Sequence, residues 1–199
     1  MGTTTNYAFP YPEATGLVKD GWEDIKDLAV DVDTDLKTVS DGRGLVWINT
    51  TTFSAVSSQS LNNVFSSTYD NYRILINATG SADDNTNFRL RVGGVDNSTA
   101  NSYIRQFVRA ESTTVTGSTS TSNLSFIGDT YIAGSIFIID IFSPFLTTRT
   151  KLISQNWRGT SAVIFLGSDH NQTVSYDGFS ILPNSGTITG TITIYGYKK

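Results

Sequence analysis

The sequence holds few residues of the types that carry catalysis, and their spacing favours structural roles. It contains one His and no Cys, so thiol catalysis, disulfide scaffolds and Cys/His zinc sites are excluded or nearly so. His170 lies in a turn-like segment, Gly167-Ser168-Asp169-His170. No Gly-x-Ser-x-Gly nucleophile motif accompanies it. A hydrolytic triad is therefore not expected.

Paired carboxylates are the more serious catalytic alternative, because two acidic residues suffice to cleave a glycoside. None of the aspartates lies in a catalytic motif, and Asp in loops usually closes turns. The segment Asp83-Asp84-Asn85 also lacks the spacing of an EF-hand calcium loop. We therefore predict no enzyme activity, no metal and no cofactor. The acidic candidates are Asp83, Asp84, Asp96, Asp129 and Asp177 in loops, and Asp140 in a strand.

Aromatic residues offer a binding role, because their faces pack on sugar rings, although they more often fill a core or a subunit interface. Trp157, Tyr176, Tyr195 and Tyr197 are the residues that could form a sugar-binding platform. For contact with a host surface we predict four residues, which the fold would have to bring together at one end of the β domain. This set is Tyr131, Trp157, His170 and Tyr176.

The composition limits the classes of partner. The chain has 199 residues, a net charge of −4 and only 16% charged residues, which argues against nucleic-acid binding. No apolar run approaches the roughly 18 residues of a membrane span. The start, MGTTTNYAFPYPEATG, has neither the basic nor the apolar part of a signal peptide. We expect synthesis in a cytoplasm and no membrane insertion.

The first 44 residues differ from the rest. An aromatic and Pro-rich stretch predicts an extended arm, and an amphipathic pattern predicts a helix over residues 21–39. The apolar spacing of 3, 4, 3, 4 is that of a heptad repeat, which favours a short bundle between copies over a helix lying on its own domain. The residue types at the repeat favour a trimer. The predicted trimer-facing residues are Trp22, Ile25, Ala29, Val32 and Leu36.

Residues 45–199 predict an antiparallel β-sandwich, jelly-roll-like, because eight to ten short strands alternate with turn clusters. Phe88, Leu90 and Val92, for example, alternate with Arg89 and Arg91. The Ser/Thr-rich segment 112–122 is interpreted as either a long exposed loop or a flat edge hairpin.

Two parts of the chain resemble tailed-bacteriophage proteins. Residues 7–36, YAFPYPEATGLVKDGWEDIKDLAVDVDTDL, are similar to the start of many phage structural proteins, with a Pro-rich segment and then D-x-x-x-D-I-K-x-L-A-x-x-V-D. Residues 65–94 and the ending GTITGTITIYGYKK are similar to β-rich C-terminal domains of phage fibre and minor virion proteins. The resemblance implies a homotrimer with an N-terminal attachment arm and a distal β knob, and no catalytic residue.

These observations lead to a hypothesis of function. We expect a structural component of a bacteriophage virion, a short trimeric tail fibre that contacts a host glycan or protein. A capsid or neck decoration fibre without a receptor is the alternative, and a small polysaccharide depolymerase is the third. The arm is expected to insert into another virion protein through aromatic anchors and stiffening prolines. These residues are Tyr7, Phe9, Pro10, Tyr11 and Pro12.

Overall fold

The computed structural model describes residues 2–11, 21–41, 44–159 and 162–199. The chain divides into two compact units, one up to Gly44 and one formed by Leu45–Tyr197. Among the residues that the structure describes, no helix combines the length and hydrophobicity that a bilayer crossing requires.

The N-terminal unit contains a hairpin and a helix. Strands β1 (Gly2–Thr3) and β2 (Pro10–Tyr11) pair antiparallel, and helix α1 covers Gly21–Asp41. The prediction of a helix over residues 21–39 is therefore confirmed. The prediction of an extended arm is wrong for residues 2–11, because the Thr4 N–H donates to the Phe9 carbonyl (3.0 Å) and closes the chain into a turn.

The second unit is a β-sandwich of two antiparallel sheets. The larger has eight strands in the order β3-β15-β5-β11-β12-β13-β8-β9, and the smaller has the order β10-β6-β14-β4, with β7 paired to β6. The strands are β3 (Leu45–Val56), β4 (Gln59–Leu61), β5 (Asn71–Gly80), β6 (Asp84–Val92), β7 (Val95–Asp96), β8 (Tyr103–Glu111), β9 (Thr114–Ser122), β10 (Ser125–Thr130), β11 (Ser135–Phe142), β12 (Thr150–Arg158), β13 (Ala162–His170), β14 (Gly178–Pro183) and β15 (Ile188–Tyr197). The β-sandwich is confirmed, and the finer jelly-roll connectivity stays a prediction.

The core lies between the two sheets and follows from alternation along the strands. On β11, Phe137, Ile139 and Ile141 are fully buried, and Phe88 and Leu90 on β6 meet them from the smaller sheet. The Ser/Thr-rich segment forms β9, which pairs with β8 at the edge of the larger sheet. Of the two interpretations of this segment, the edge hairpin is therefore the correct one.

Candidate functional site

Helix α1 presents the predicted heptad residues on one face. An α-helix turns 100° per residue, so the five positions from Trp22 to Leu36 fall within an arc of about 80°. Ile25, Val32 and Leu36 are each between 43% and 53% exposed, while Trp22 and Ala29 are partly buried. Apolar side chains at heptad spacing are thus left open to solvent in the single chain. We call this set (Trp22, Ile25, Ala29, Val32 and Leu36) the α1 seam.

A buried carboxylate holds the hairpin against α1. The backbone N–H of Asn6 donates to Asp33 Oδ2 (3.0 Å) and that of Tyr7 to Asp33 Oδ1 (2.7 Å). The Tyr7 hydroxyl also donates to the Leu36 carbonyl (3.4 Å). Burial raises the pKa of Asp33, but the hydrogen bonds that its carboxylate accepts lower the pKa by more. The net pKa therefore lies below its usual value. The carboxylate therefore stays charged where the hairpin needs an acceptor.

The predicted attachment residues lie mostly in this hairpin. Tyr7 is 42% exposed and stacks on the partly buried Phe9, with ring centroids 6.0 Å apart. Pro10 and Tyr11 form β2, and Pro12 lies outside the described residues. The aromatic anchors therefore pack beside α1, where sequence reasoning placed an extended segment free to insert elsewhere.

Two of the predicted host-contact residues are part of the core. His170 and Tyr176 are 2% and 0% exposed, so the prediction that they contact a host surface is wrong. The Asn97 amide donates to the Tyr176 hydroxyl (2.7 Å), and the distance from that hydroxyl to His170 Nε2 is 2.6 Å. The hydroxyl has two lone pairs and one proton, so it can accept from Asn97 and also form the hydrogen bond with Nε2, whose direction depends on the His170 tautomer. This buried series of hydrogen bonds from Asn97 through Tyr176 to His170 gives His170 a structural role.

Burial also changes the titration of these groups. It lowers the pKa of His170 to about 4, because the Ser102 carbonyl and the Asp169 carboxylate offset the loss of hydration only in part. It raises the pKa of Tyr176 to about 12. Both groups are therefore neutral at pH 7.

The other two predicted host-contact residues, Tyr131 and Trp157, are accessible. Trp157 is 59% exposed and lines a cleft of about 320 Å³ with Asn77, Gly134 and Ile136. Tyr131 is partly buried, with the Arg158 guanidinium 5.2 Å from its ring centre. Trp157 pairs with the second residue of β13, whereas His170 ends that strand, about 23 Å further along at 3.3 Å per residue. The four residues do not converge.

Several of the aspartates considered for glycoside cleavage are paired with arginines. Arg109 Nη2 lies 2.5 Å from Asp129 Oδ2, and Arg91 pairs with Asp96. Burial raises the pKa of Asp129, and Arg109 and Arg158 partly offset it. The Asp129 side chain is 5% exposed, so this carboxyl group does not face an open cleft.

Asp140 is the acceptor of a surface network on the larger sheet. Arg73 donates to it through Nε (2.8 Å) and Nη2 (2.6 Å), and the Tyr197 hydroxyl donates to Oδ1 (2.6 Å). Burial raises the pKa of Asp140, but these donors lower the pKa by more than burial raises it. The net pKa therefore lies below its usual value. The bidentate pair fixes Asp140 in its ionised form.

Sequence reasoning missed the outer face of the larger sheet. The strand register places outward-facing residues in two adjacent rows that cross β5, β11, β12, β13 and β8 and contain no charged side chain. We call these two rows the outer apolar face. The first row is Asn77, Ile136, Trp157, Val163 and Ala110, and the second is Leu75, Ile138, Gln155, Phe165 and Val108. The signal was present in the sequence, because β11 and β13 carry apolar residues at both alternating positions.

Comparisons with known proteins identify no family. No protein-family model and no curated protein matches the chain. Among solved structures, a sucrose-6-phosphate hydrolase from Lactobacillus gasseri is similar at 9% identity and a TM-score of 0.32, over 72% of this chain and 28% of the hydrolase. The galectin LEC-6 from Caenorhabditis elegans has 10% identity and a TM-score of 0.32, over 77% of this chain and 99% of the galectin.

A virus coat protein is also similar. The coat protein of Tobacco streak virus has 10% identity and a TM-score of 0.21, over 78% of this chain and 86% of that protein. All three TM-scores are low, so none of these similarities carries a functional argument. The functional argument therefore rests on the residues of this chain.

Proposed function

We propose that the protein is a structural component of a bacteriophage virion, a short homotrimeric fibre in which α1 joins the copies and the β-sandwich contacts the host surface. The observation that carries the proposal is the α1 seam, which is apolar at heptad spacing and leaves Ile25, Val32 and Leu36 exposed in the single chain. Apolar residues at heptad spacing are buried most completely when helices from several copies pack against one another. The resemblance of both ends of the chain to phage virion proteins supports its assembly into a virion.

The mass of the purified protein in solution tests the trimer. Val32→Asp puts a charge in the α1 seam and is expected to convert trimers to monomers at micromolar concentration. Val30→Asp is the matched control, because Val30 is similarly exposed (41% against 43%) but lies about 120° from the centre of the seam. The control should remain trimeric. A wild-type monomer at micromolar concentration would refute the trimer.

The hairpin is the proposed attachment segment. Deleting residues 1–16 removes the aromatic anchors Tyr7, Phe9 and Tyr11 together with Pro10 and Pro12. We expect this variant to be absent from assembled particles while the β-sandwich keeps the wild-type melting temperature. Normal incorporation of the shortened protein would show that the hairpin serves α1 alone and not a neighbouring virion protein.

The position of the protein in the particle separates a tail fibre from a decoration fibre. Antibodies against the purified protein, imaged on intact particles, should label the tail or the baseplate. Label at capsid vertices or at the neck would contradict host contact and favour the decoration role. Purified protein should also adhere to host cells and compete with phage adsorption if the sandwich contacts the host.

A further inference from the structure

The outer apolar face is left exposed by the fold of the single chain. Ile136, Trp157 and Phe165 are between 48% and 59% exposed although each lies on an internal strand of the sheet. Ile153, in the next row, is 50% exposed. Scattered exposed apolar residues are ordinary, but a contiguous group of this kind marks an interaction surface.

The charges on this side of the sheet lie beyond the two rows. Arg73 and Asp140 form an ion pair in the next row, where they face each other across β5 and β11. Lys151 and Asp169 lie one row further out, and Asp169 is paired with Arg149. The two rows themselves therefore present a neutral surface, which carries no charge that would repel a second copy of itself.

The chemistry of the face favours a protein partner over a sugar. A glycan needs several hydrogen-bonding groups for its hydroxyls beside an aromatic ring. Trp157 supplies the ring, but Asn77 and Gln155 are the only polar side chains in the two rows. The remaining positions are aliphatic or aromatic, as in the centre of a subunit interface.

The size of the face explains why it would act together with α1. Five strands at about 4.8 Å spacing and two rows about 6.6 Å apart give an area of about 320 Å². A stable interface usually buries about 800 Å² on each partner, so the face alone is too small for tight association. Copies joined through α1 would hold their sandwiches at a high local concentration, where a weak contact is sufficient.

We infer that the outer apolar face is the contact between β-sandwiches of neighbouring copies in the trimer. This inference rests on the proposed homotrimer. Each face would meet two neighbours, one with each half, so that the contact is heterologous and closed. Trp157 and Phe165 would then be interface residues, and receptor contact would fall to other surfaces of the sandwich.

A single introduced cysteine tests the contact, because the chain has no Cys of its own. Gln155→Cys places a thiol in the middle of the face, between Ile138 and Phe165 in the register. Val95→Cys is the matched control, because Val95 is 68% exposed on a strand of the smaller sheet. In the full-length trimer, maleimide should label the Gln155→Cys thiol at least tenfold more slowly than the Val95→Cys thiol.

The Val32→Asp background separates the two proposals. In this monomeric protein the Gln155→Cys thiol should be labelled as fast as the control thiol. Equal rates in a preparation whose mass is trimeric would overturn the inference and leave the trimer intact, with the face open to an outside partner such as a neutral glycan. A monomeric mass for the wild type would instead refute the proposed trimer.

A second variant gives an independent measurement. Phe165→Lys adds a charge to the face at an exposed position, where the fold of a single copy should tolerate it. We expect the concentration at which half of the trimer dissociates to rise at least tenfold. A Val95→Lys variant should leave that concentration unchanged. An unchanged value for Phe165→Lys would contradict the inference.

Discussion

Protonation of His170 is expected to destabilise the β-sandwich as the pH falls from about 6.5 to about 4. The ring is 2% exposed, and its Nε2 lies 2.6 Å from the Tyr176 hydroxyl. A second ring proton would place a charge in the core. The folded protein therefore resists protonation, whereas the unfolded chain binds a proton near the ordinary pKa of 6.5.

The magnitude follows from the two pKa values. Burial lowers the pKa of His170 from 6.5 to about 4 in the folded protein. Each pH unit between the folded and unfolded values is worth about 1.4 kcal/mol, so the full difference corresponds to about 3.5 kcal/mol. Because the unfolded state binds more protons in this window, the free energy of unfolding rises with pH between 4 and 6.5 and levels off above it.

Urea unfolding at pH 7, 6, 5 and 4.5, at one protein concentration, measures this dependence. His170→Gln is the matched variant, because the Gln side-chain amide can still hydrogen-bond to the Tyr176 hydroxyl but does not titrate. At pH 4.5 the wild type should have lost about 2.4 kcal/mol from this group relative to its value at pH 7, and the variant should lose less by about that amount. Carboxylates titrate equally in both proteins and cancel in the comparison.

The nuclear magnetic resonance signal of the imidazole gives a direct check, because the chain has one His. Its Cε1–H resonance should not move between pH 7.5 and pH 5. A titration midpoint between 6 and 7, or identical pH dependence of unfolding in wild type and variant, would refute the argument that this ring is buried and neutral.

Three further predictions concern the hairpin and the β-sandwich. Asp33→Ala removes the acceptor for the Asn6 and Tyr7 amides, so hydrogen exchange at these amides should accelerate while the helical circular dichroism is retained. Asp33→Asn should give a smaller effect. Gly190→Ala would place a Cβ 2.1 Å from the Asn77 carbonyl oxygen and should lower the free energy of unfolding in urea by about 2–3 kcal/mol. Gly167→Ala, whose Cβ would have no atom within 4 Å, should change that free energy by less than about 0.5 kcal/mol. Phe137→Ala in the core should cost about 3–5 kcal/mol, and Phe142→Ala, on the same strand but 37% exposed, less than about half of that.

The sequence predicts most of the secondary structure because its patterns are local. Residues 88–92 alternate apolar and basic side chains, and β6 buries Phe88 and Leu90 while Arg91 reaches outward to Asp96. Helix α1 follows an apolar repeat of 3 and 4 residues, which is equally local. Such patterns reflect the period of a strand or helix, so a single amino-acid sequence is enough to predict these elements.

The hairpin and the role of His170 could not be predicted in this way, because both depend on distant partners. Asn6 and Tyr7 reach a carboxylate 27 and 26 residues further along the chain, and no spacing rule links them. His170 lies in a segment whose composition is typical of a turn, yet it ends β13 and faces Tyr176 and Tyr103 in the core. Composition alone cannot distinguish an exposed turn from a polar strand end packed against aromatic rings.

Strands β11 and β13 have a sequence pattern that one copy of the chain does not fully explain. Continuous apolar runs normally indicate strands that are covered on both faces. Here one face of each strand meets the smaller sheet, while Ile136 and Phe165 on the other face are exposed in the single chain. The sequence is therefore that of a strand covered twice, and the single chain covers it once. In the proposed trimer a second copy would supply the missing cover, because the same chain that leaves the face open also carries the α1 seam that would bring copies together.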